Sequence, residues 1–212
     1  MRSYFYGIIA ILLMVTGVSF AVPEPAIVPN QSQWTLDTKF THPEQMIVGY
    51  TSDNKPIRYW YIIVTITNNT RQDVDFYPRC ELVTDTFQVI PAGKSVGTIV
   101  FDKIKQRHKN QYPFLELLDT SGDKFLQGED NTRDIAIIWP DFDHNANNIS
   151  IFITGLSNEI FVLKHPVKKQ QNSEPKNVYL RKTLEIQYEV QGTPALVNGA
   201  TLEYKSKSWV MR

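Results

Sequence analysis

The segment from Arg58 to Thr67, RYWYIIVTIT, is the strongest strand signal in the chain and decides the fold class. From Trp60 to Ile66, every second side chain is large and apolar, and alternate side chains of a β-strand share one face. The opposite face is only partly apolar and carries Tyr59, Tyr61, Ile63 and Thr65. This pattern predicts a strand at the centre of a sheet, with its apolar face turned towards the core.

A second long alternation runs from Asn177 to Val190. One face is apolar except at Lys182, and its members are Val178, Leu180, Leu184, Ile186, Tyr188 and Val190. Burial of a large apolar side chain contributes about 1.5–3 kcal/mol, so six of them on one face predict a second sheet packed against them.

Turn residues separate the remaining strand candidates. These are Trp34–Phe40, Gln45–Val48, Cys80–Thr84, Thr86–Ile90, Asp134–Trp139, Ile149–Thr154, Glu159–Lys164 and Leu202–Met211. One helix is predicted from Val100 to His108, because its apolar residues fall on one stripe and Pro113 follows it. The fold class is therefore predicted to be mainly β, a two-sheet antiparallel β-sandwich of immunoglobulin-like topology with one short helix. A closed barrel is the alternative.

The first 21 residues predict a signal peptide. Arg2 provides a positive start, Gly7 to Val18 is apolar, and Ser19-Phe20-Ala21 offers small residues for cleavage. An uncleaved membrane anchor is the alternative, since the apolar length is near the minimum for spanning a bilayer. Residues 22–32 contain three prolines and predict an extended linker, and residues 33–212 predict a single domain. The protein is expected to be secreted or periplasmic, meeting a membrane only during export or through that anchor.

Charge and cysteine content exclude several classes of function. The chain has 22 basic and 22 acidic side chains, so it lacks the long-range positive field that gathers nucleic acid. Cys80 is the single cysteine, so no disulfide can form within the chain. Cys80 is predicted to be a small buried apolar residue in a strand.

Seven short blocks spread over nearly the whole domain carry a family resemblance. They are Tyr59–Thr70, Glu81–Thr86, Phe125–Asn131, Ile137–Asp143, Phe152–Glu159, Val178–Leu184 and Trp209–Arg212. With these blocks the chain resembles an uncharacterised family of predicted exported bacterial proteins with no assigned function. The resemblance implies the exported location and the sandwich, and it assigns no catalytic residue.

The loop after Pro140 holds the densest group of side-chain oxygens, with Asp141, Asp143, Asn145 and Asn147 at alternate positions. Such oxygens suit calcium, which binds several oxygen ligands. The spacing fails the EF-hand pattern, however, because Ala146 replaces the glycine and Phe152 replaces the bidentate glutamate. Asp and Asn also favour turns for local reasons, so a plain strand connection is the competing interpretation.

Tyr59 and Tyr61 would lie about 7 Å apart on one face of the central strand, a spacing that suits consecutive sugar rings. Glycan binding requires both rings to be exposed. Core packing is the competing interpretation, since central strands usually bury such rings.

The chain contains no nucleophile-elbow, P-loop or dinucleotide-binding motif. The favoured hypothesis is therefore an exported, non-enzymatic protein without a cofactor that binds a protein or glycan of the cell envelope or another extracellular macromolecule. A calcium- or glycan-binding module is the alternative, and a hydrolase with a dispersed site is a third.

Overall fold

The computed structural model describes residues 33–121, 124–164, 177–194, 196 and 199–212. Among these residues there are thirteen β-strands, one α-helix and a 3-10 turn at Leu118–Thr120. The strands are β1 Asp37–Phe40, β2 Glu44–Tyr50, β3 Pro56–Asn68, β4 Val74–Asp75, β5 Arg79–Thr84, β6 Val89–Pro91, β7 Glu116–Leu117, β8 Lys124–Phe125, β9 Gly128–Pro140, β10 Asn148–Thr154, β11 Ile160–Lys164, β12 Asn177–Gly192 and β13 Ala200–Met211. The helix α1 spans Thr98–His108.

The first sheet is built around β3, the strand predicted to be central. β9 pairs antiparallel with one edge of β3. β1 and β2 also pair with β3, β1 at Val64–Thr67 and β2 at Pro56–Tyr61. The short β7 lies outside β9 and is parallel to it, which is an exception to the predicted antiparallel arrangement. Trp60 lies opposite Trp139, so large side chains pair across the middle of the sheet.

The second sheet is antiparallel, in the order β13, β12, β10, β5, β6. β10 pairs with β12 at Leu184–Glu189, and β11 continues beyond β10 to pair with Asn177–Arg181. β4 and β8 form a separate two-stranded ribbon.

The two sheets pack face to face over one large core, which confirms the predicted β-sandwich. The first sheet contributes the Trp60–Ile66 face of β3 and the facing residues of β9, and the second contributes Leu184, Ile186 and Tyr188 of β12. Trp60 and Leu184 are fully buried. Cys80 belongs to this core, as predicted. The immunoglobulin-like topology stays a prediction.

The helix α1 covers the outer face of the first sheet and produces a third layer. Val100 and Ile104 are buried beneath it, against Tyr61 and Ile63 of β3 and Ile138 of β9. Basic residues in its last turn, Lys105, Arg107 and His108, complement the helix dipole. The helix begins two residues before the predicted start.

The sequence predicted one continuous strand at Trp34–Phe40, but the structure divides this segment between the two sheets. Trp34 and Leu36 hydrogen-bond with Asn158 and Leu156 beside the second sheet, and only Asp37–Phe40 pairs with β3. The chain therefore crosses between the sheets at this point. The predicted signal peptide and linker, residues 1–32, lie outside the described residues. Within the described part, no helix combines the length and hydropathy that a membrane crossing requires.

Candidate functional site

The most unusual feature is a two-stranded ribbon that extends beyond the sandwich, here called the arm: Ile160–Lys164 of β11 paired with Asn177–Arg181 of β12. β13 pairs with β12 only from Lys182 onwards, with Arg181 and Arg212 joined by backbone hydrogen bonds at its end. Among the described residues, no third strand pairs with the arm. An isolated two-stranded ribbon is only marginally stable in water, so this arrangement requires explanation.

Both faces of the arm are apolar and exposed. Ile160 and Val162 lie on one face with Tyr179, and Phe161 and Leu163 lie on the other with Val178 and Leu180. Six large apolar side chains here are 37–62% exposed: Ile160, Phe161, Val162, Leu163, Val178 and Tyr179. Single exposed apolar residues are ordinary on a protein surface, but a contiguous group of this kind marks an interaction site.

The exposure of Val178 corrects the sequence prediction, which placed it with the buried side chains of β12. Leu184, Ile186 and Tyr188 are buried as predicted, whereas Val178 is exposed and Leu180 is half-buried. The core-facing side of β12 thus continues into the arm, where the first sheet leaves it uncovered.

An ion pair separates the core from the arm. Lys182 Nζ lies 2.9 Å from Glu159 Oε2, and the two side chains are only 7% and 12% exposed. Lys182 Nζ also lies 5.3 Å from the centre of the Trp209 ring and 3.4 Å from Thr35 Oγ1. A buried charge remains only where it is paired, so this pair closes the end of the core. Lys182 is the one polar residue that the sequence places on the apolar face of β12, and this ion pair explains its presence there.

A groove of about 360 Å³ lies at the base of the arm, between Trp34, Tyr77, Asn158, Ile160 and Arg181. It shares Tyr77, Gly155 and Arg181 with a neighbouring groove of about 370 Å³ that also contains Arg79. Arg212, in the second groove, forms an ion pair of 3.0 Å with Glu81.

Arg79 and Arg181 form no ion pair within the described part of the chain. Asp75 also lines the first groove and Glu81 the second, so the joined grooves present charges of both signs next to the apolar arm. A guanidinium is suited to carboxylates and backbone carbonyls of a bound polypeptide.

The predicted calcium ligand Asp141 is engaged by other groups. Its Oδ2 lies 2.9 Å from Nη2 of the buried Arg58 and 3.0 Å from Nε2 of His144. Its Oδ1 accepts hydrogen bonds from Trp60 Nε1 at 3.0 Å and from the Phe142 N–H at 3.1 Å. Asp141 therefore connects the loop to β3.

Of the other three predicted ligands, Asp143 and Asn145 form a local turn, and Asn147 bonds to a distant carboxylate. Asp143 Oδ1 accepts hydrogen bonds from the N–H and the side-chain amide of Asn145, each at 3.0 Å, and the first of these lowers the pKa of Asp143. The Asn147 N–H donates to the Asp85 carboxylate. Within the described residues, no three His, Cys, Asp or Glu side chains are grouped to hold a metal. The geometry favours the plain strand connection, and the calcium site stays a prediction.

Tyr59 and Tyr61 do not form the exposed platform that glycan binding requires. Tyr61 is buried under α1, and Tyr59 is half-buried against the same apolar cluster. The physical reason is the third layer, since the helix covers the face of β3 that carries both rings. A covered ring offers no face to a sugar.

Tyr61 is instead the centre of a polar cluster between α1 and the first sheet. Its hydroxyl donates to Glu44 Oε2 at 2.7 Å and accepts from Arg107 Nη1 at 3.1 Å, with His108 Nε2 2.9 Å away. Burial, followed by the hydrogen bond to Glu44, raises the pKa of Tyr61 well above its usual range. The hydroxyl is thus protonated at neutral pH, donating to Glu44 and accepting from Arg107.

The single thiol, Cys80, is similarly buried. Burial raises the pKa of its thiol, so the nucleophilic thiolate is disfavoured.

The sequence prediction included the strand Glu159–Lys164 but missed its exposure. Two signals were present: Ile160–Leu163 is apolar at four consecutive positions, which gives two apolar faces, and the following segment through Lys176 is largely polar. Neither signal shows that the opposite sheet ends before the arm.

Comparison with known proteins identifies no relative: no protein-family model, curated protein or solved structure matches this chain. The resemblance to an exported bacterial family stays a prediction.

Proposed function

We propose that this is an exported, non-enzymatic β-sandwich protein, acting without a cofactor, that binds another protein of the cell envelope or extracellular space through its arm. The observation that carries the proposal is the group of six exposed apolar side chains on a ribbon that no other described strand supports. Covering these side chains would remove apolar surface from water, which drives most protein association.

The chemistry of the arm and its grooves supports one kind of partner. The partner surface would combine an apolar patch, matching Phe161 and Leu163, with acidic or carbonyl oxygens that reach Arg79 and Arg181. Such a polar rim around an apolar centre is the usual anatomy of a protein interface. The balanced overall charge argues against a nucleic-acid partner.

Export and topology belong to the same proposal. The N-terminal pattern supports a signal peptide that releases the protein into the periplasm or the medium. N-terminal sequencing of the exported protein tests this, with Val22 expected as the first residue. Recovery of the intact N-terminus in the membrane fraction would contradict release. The immunoglobulin-like topology and the family resemblance are part of this proposal.

The absence of catalysis is supported by the state of two reactive groups. The tyrosine at the centre of the polar cluster and the single thiol both have raised pKa values, which favours their protonated, less reactive forms. A broad hydrolase screen tests this part, and robust turnover would overturn it.

Site-specific photo-crosslinking in the source cells tests the binding. A photoreactive amino acid replaces Phe161 or Tyr179 on the two faces of the arm, and replaces Phe114 as a control, because Phe114 is also strongly exposed but lies outside the arm. We expect the arm positions, and not Phe114, to capture one and the same protein. Leu163→Lys should reduce that adduct, because a charge then enters the apolar face.

Failure to obtain an arm-specific adduct would contradict the proposal. So would an adduct that contains only a second copy of this chain, since the proposed partner is a different protein.

A further inference from the structure

The outer edge of β11 carries a regular row of backbone groups that face away from β12. The Lys182 N–H donates to Glu159 O, so Glu159 and every second residue after it direct their backbone groups towards β12. The groups of Ile160, Val162 and Lys164 therefore point to the opposite side. Among the described residues, no strand pairs with that side of β11.

This edge lacks the features that usually stop a strand from pairing with another chain. Natural edge strands are protected by charges, prolines, bulges or a covering segment. Ile160–Leu163 is apolar at four consecutive positions, and Lys164 is the only charged residue of β11. Within the described part, the chain itself occupies the edge only before Ile160, where the Asn158 N–H donates to Trp34 O at 3.3 Å. The free edge therefore comprises the 5 residues of β11.

A second copy of β11 matches this edge in an antiparallel register centred on Val162. Val162 then lies opposite Val162 of the second copy, and Ile160 lies opposite Lys164. Both members of each such pair have outward-pointing backbone groups, which is the condition for an antiparallel hydrogen-bonded pair. Phe161 lies opposite Leu163 on one apolar face, and pairs of large apolar side chains across strands stabilise a sheet. Because the strands run in opposite directions, the two sandwiches lie at opposite ends of the joined sheet.

The charge at the end of the edge fits the same register. Lys164 of one copy would lie beside Ile160 of the other, and Ile160 lines the groove at the base of the arm together with Asp75. Asp75 forms no ion pair within the described residues. Arg181 lines the same groove, so Asp75 would serve both cations. The one charged residue of the edge thus meets a groove that contains an opposite charge.

We propose that two copies of this chain pair antiparallel through the outer edges of their β11 strands and form one four-stranded sheet. A two-stranded ribbon is only marginally stable in water, whereas three or more strands with an apolar face can persist. Pairing therefore explains how the arm is maintained outside the sandwich. It covers the edge of β11 and leaves both apolar faces of the arm available, so the dimer does not depend on the protein that the arm binds.

Cysteine crosslinking of the full chain tests the register. Val162→Cys places a thiol opposite its own copy in a hydrogen-bonded pair, with Cα atoms about 5.5 Å apart, within disulfide range. Cys80 is buried, so the introduced thiol is the accessible one. In the control, Phe161→Cys, the two copies are diagonal neighbours about 7–8 Å apart, which a disulfide does not bridge without backbone movement. We expect Val162→Cys to crosslink at least about tenfold faster, because pairing raises the effective thiol concentration.

A mixture of two single variants tests the direction of pairing. Phe161→Cys and Leu163→Cys should each crosslink slowly alone, because each thiol meets its own copy two residues out of register. Mixed together, they should form the heterodimer at least about tenfold faster, since Phe161 and Leu163 lie opposite each other. Parallel strands in register would instead crosslink each variant with itself.

Sedimentation velocity and hydrogen exchange test the pairing without cysteines. Two such short edges bury less than the roughly 1,200–2,000 Å² of a standard interface, so we expect a weak dimer that forms at about 100 µM and dissociates at about 1 µM. The Ile160 and Val162 amides should exchange at least about fivefold more slowly at the higher concentration. Val162→Pro removes an outward-facing N–H and should abolish both effects, whereas Val162→Thr keeps that N–H and should retain them.

Three outcomes would overturn the proposal. One is equal crosslinking of Val162→Cys and Phe161→Cys, which would indicate random collision. Another is a protein that stays monomeric at about 100 µM with rapid exchange of the Ile160 and Val162 amides, which would leave the edge free for a different protein. The third is protection of these amides in a monomer at every concentration, which would assign the edge to another segment of the same chain.

Discussion

At the scale of single residues, the described structure places its charged groups where the apolar layers end. Arg58 lies at the end of the core next to Asp141, and Lys182 lies next to Glu159 at the base of the arm. Pairing makes burial of these charges tolerable, but a buried pair is not by itself a source of net stability. Removing one partner and removing both should therefore have different consequences.

Lys182→Met should destabilise the protein by about 3 kcal/mol, because Glu159 would remain buried without its partner. The double variant Lys182→Met with Glu159→Met should be clearly less destabilised, since both charges are then replaced by apolar groups. Urea unfolding of the four proteins of this cycle measures the coupling. Lys205→Met is the control: Lys205 pairs with Glu189 and Glu203 at an exposed position, so its loss should cost far less than the loss of Lys182. Additive effects of the two core-end substitutions would contradict this interpretation.

Cys80 makes the stability depend on pH. Its thiol pKa is raised above the ordinary value by burial, so the folded protein retains the proton when the unfolded chain loses it. Stability from this group is complete below the unfolded pKa, near 9, and declines above it by up to about 1.4 kcal/mol per pH unit.

The free energy of unfolding, measured from pH 8 to 10 for the unaltered protein and for Cys80→Ala, tests this dependence. The unaltered protein should lose stability more steeply, although Cys80→Ala starts lower because it leaves a small cavity. Parallel curves would show that the thiol does not ionise differently in the two states.

At the scale of elements, the orientation of the arm depends on the turn that joins β10 to β11. Gly155 follows β10 directly with a φ of +86°. A Cβ atom at this position would lie 2.6 Å from the Tyr77 carbonyl oxygen and 2.9 Å from Pro78 Cα. Both the backbone conformation and the close approach therefore require glycine.

Gly155→Ala should destabilise the protein by about 2 kcal/mol or more, because the left-handed conformation and the contact with Tyr77 each carry a cost. Gly97→Ala is the control, since Gly97 has a φ of −75° and open space around its Cβ position. Thermal unfolding of both variants should show a much larger loss for Gly155. Equal losses would mean that the connection to the arm tolerates a side chain.

For the molecule as a whole, the main feature is that β12 lies in the core at one end and in the exposed arm at the other. β12 spans Asn177–Gly192, and its core-facing positions are covered by the first sheet only from Lys182 onwards. The same alternating pattern therefore yields core residues at one end and an exposed surface at the other.

Two substitutions on that one face separate these environments. Leu184→Ala should cost about 2–5 kcal/mol, since Leu184 is fully buried and its truncation leaves a cavity between the sheets. Leu180→Ala, four residues away and half-buried on the arm, should cost well under half as much. Chemical denaturation measures both, and similar losses would show that the arm is packed like the core.

The strands and the helix could be predicted well from local patterns, because each of them has its own periodicity. Arg58–Thr67 became β3 with one residue or two added at each end, and Val100–His108 became α1. The short strands β4, β7 and β8 were missed, since two residues are too few to show a period. Tyr59 and Tyr61 were correctly placed on one face of β3, but no local signal indicated that a helix covers that face.

Local patterns in the sequence were enough to locate most of the strands, to identify their apolar faces, and to show that two sheets had to pack against each other. These properties follow from the alternation of side chains along an extended backbone, which is local. The exposure of Val178 and Phe161, the covering of Tyr61, and the ion pair of Lys182 with Glu159 could be seen only in the folded protein. Exposure depends on where the opposing layer ends, and that position is set by the packing of segments distant in the chain.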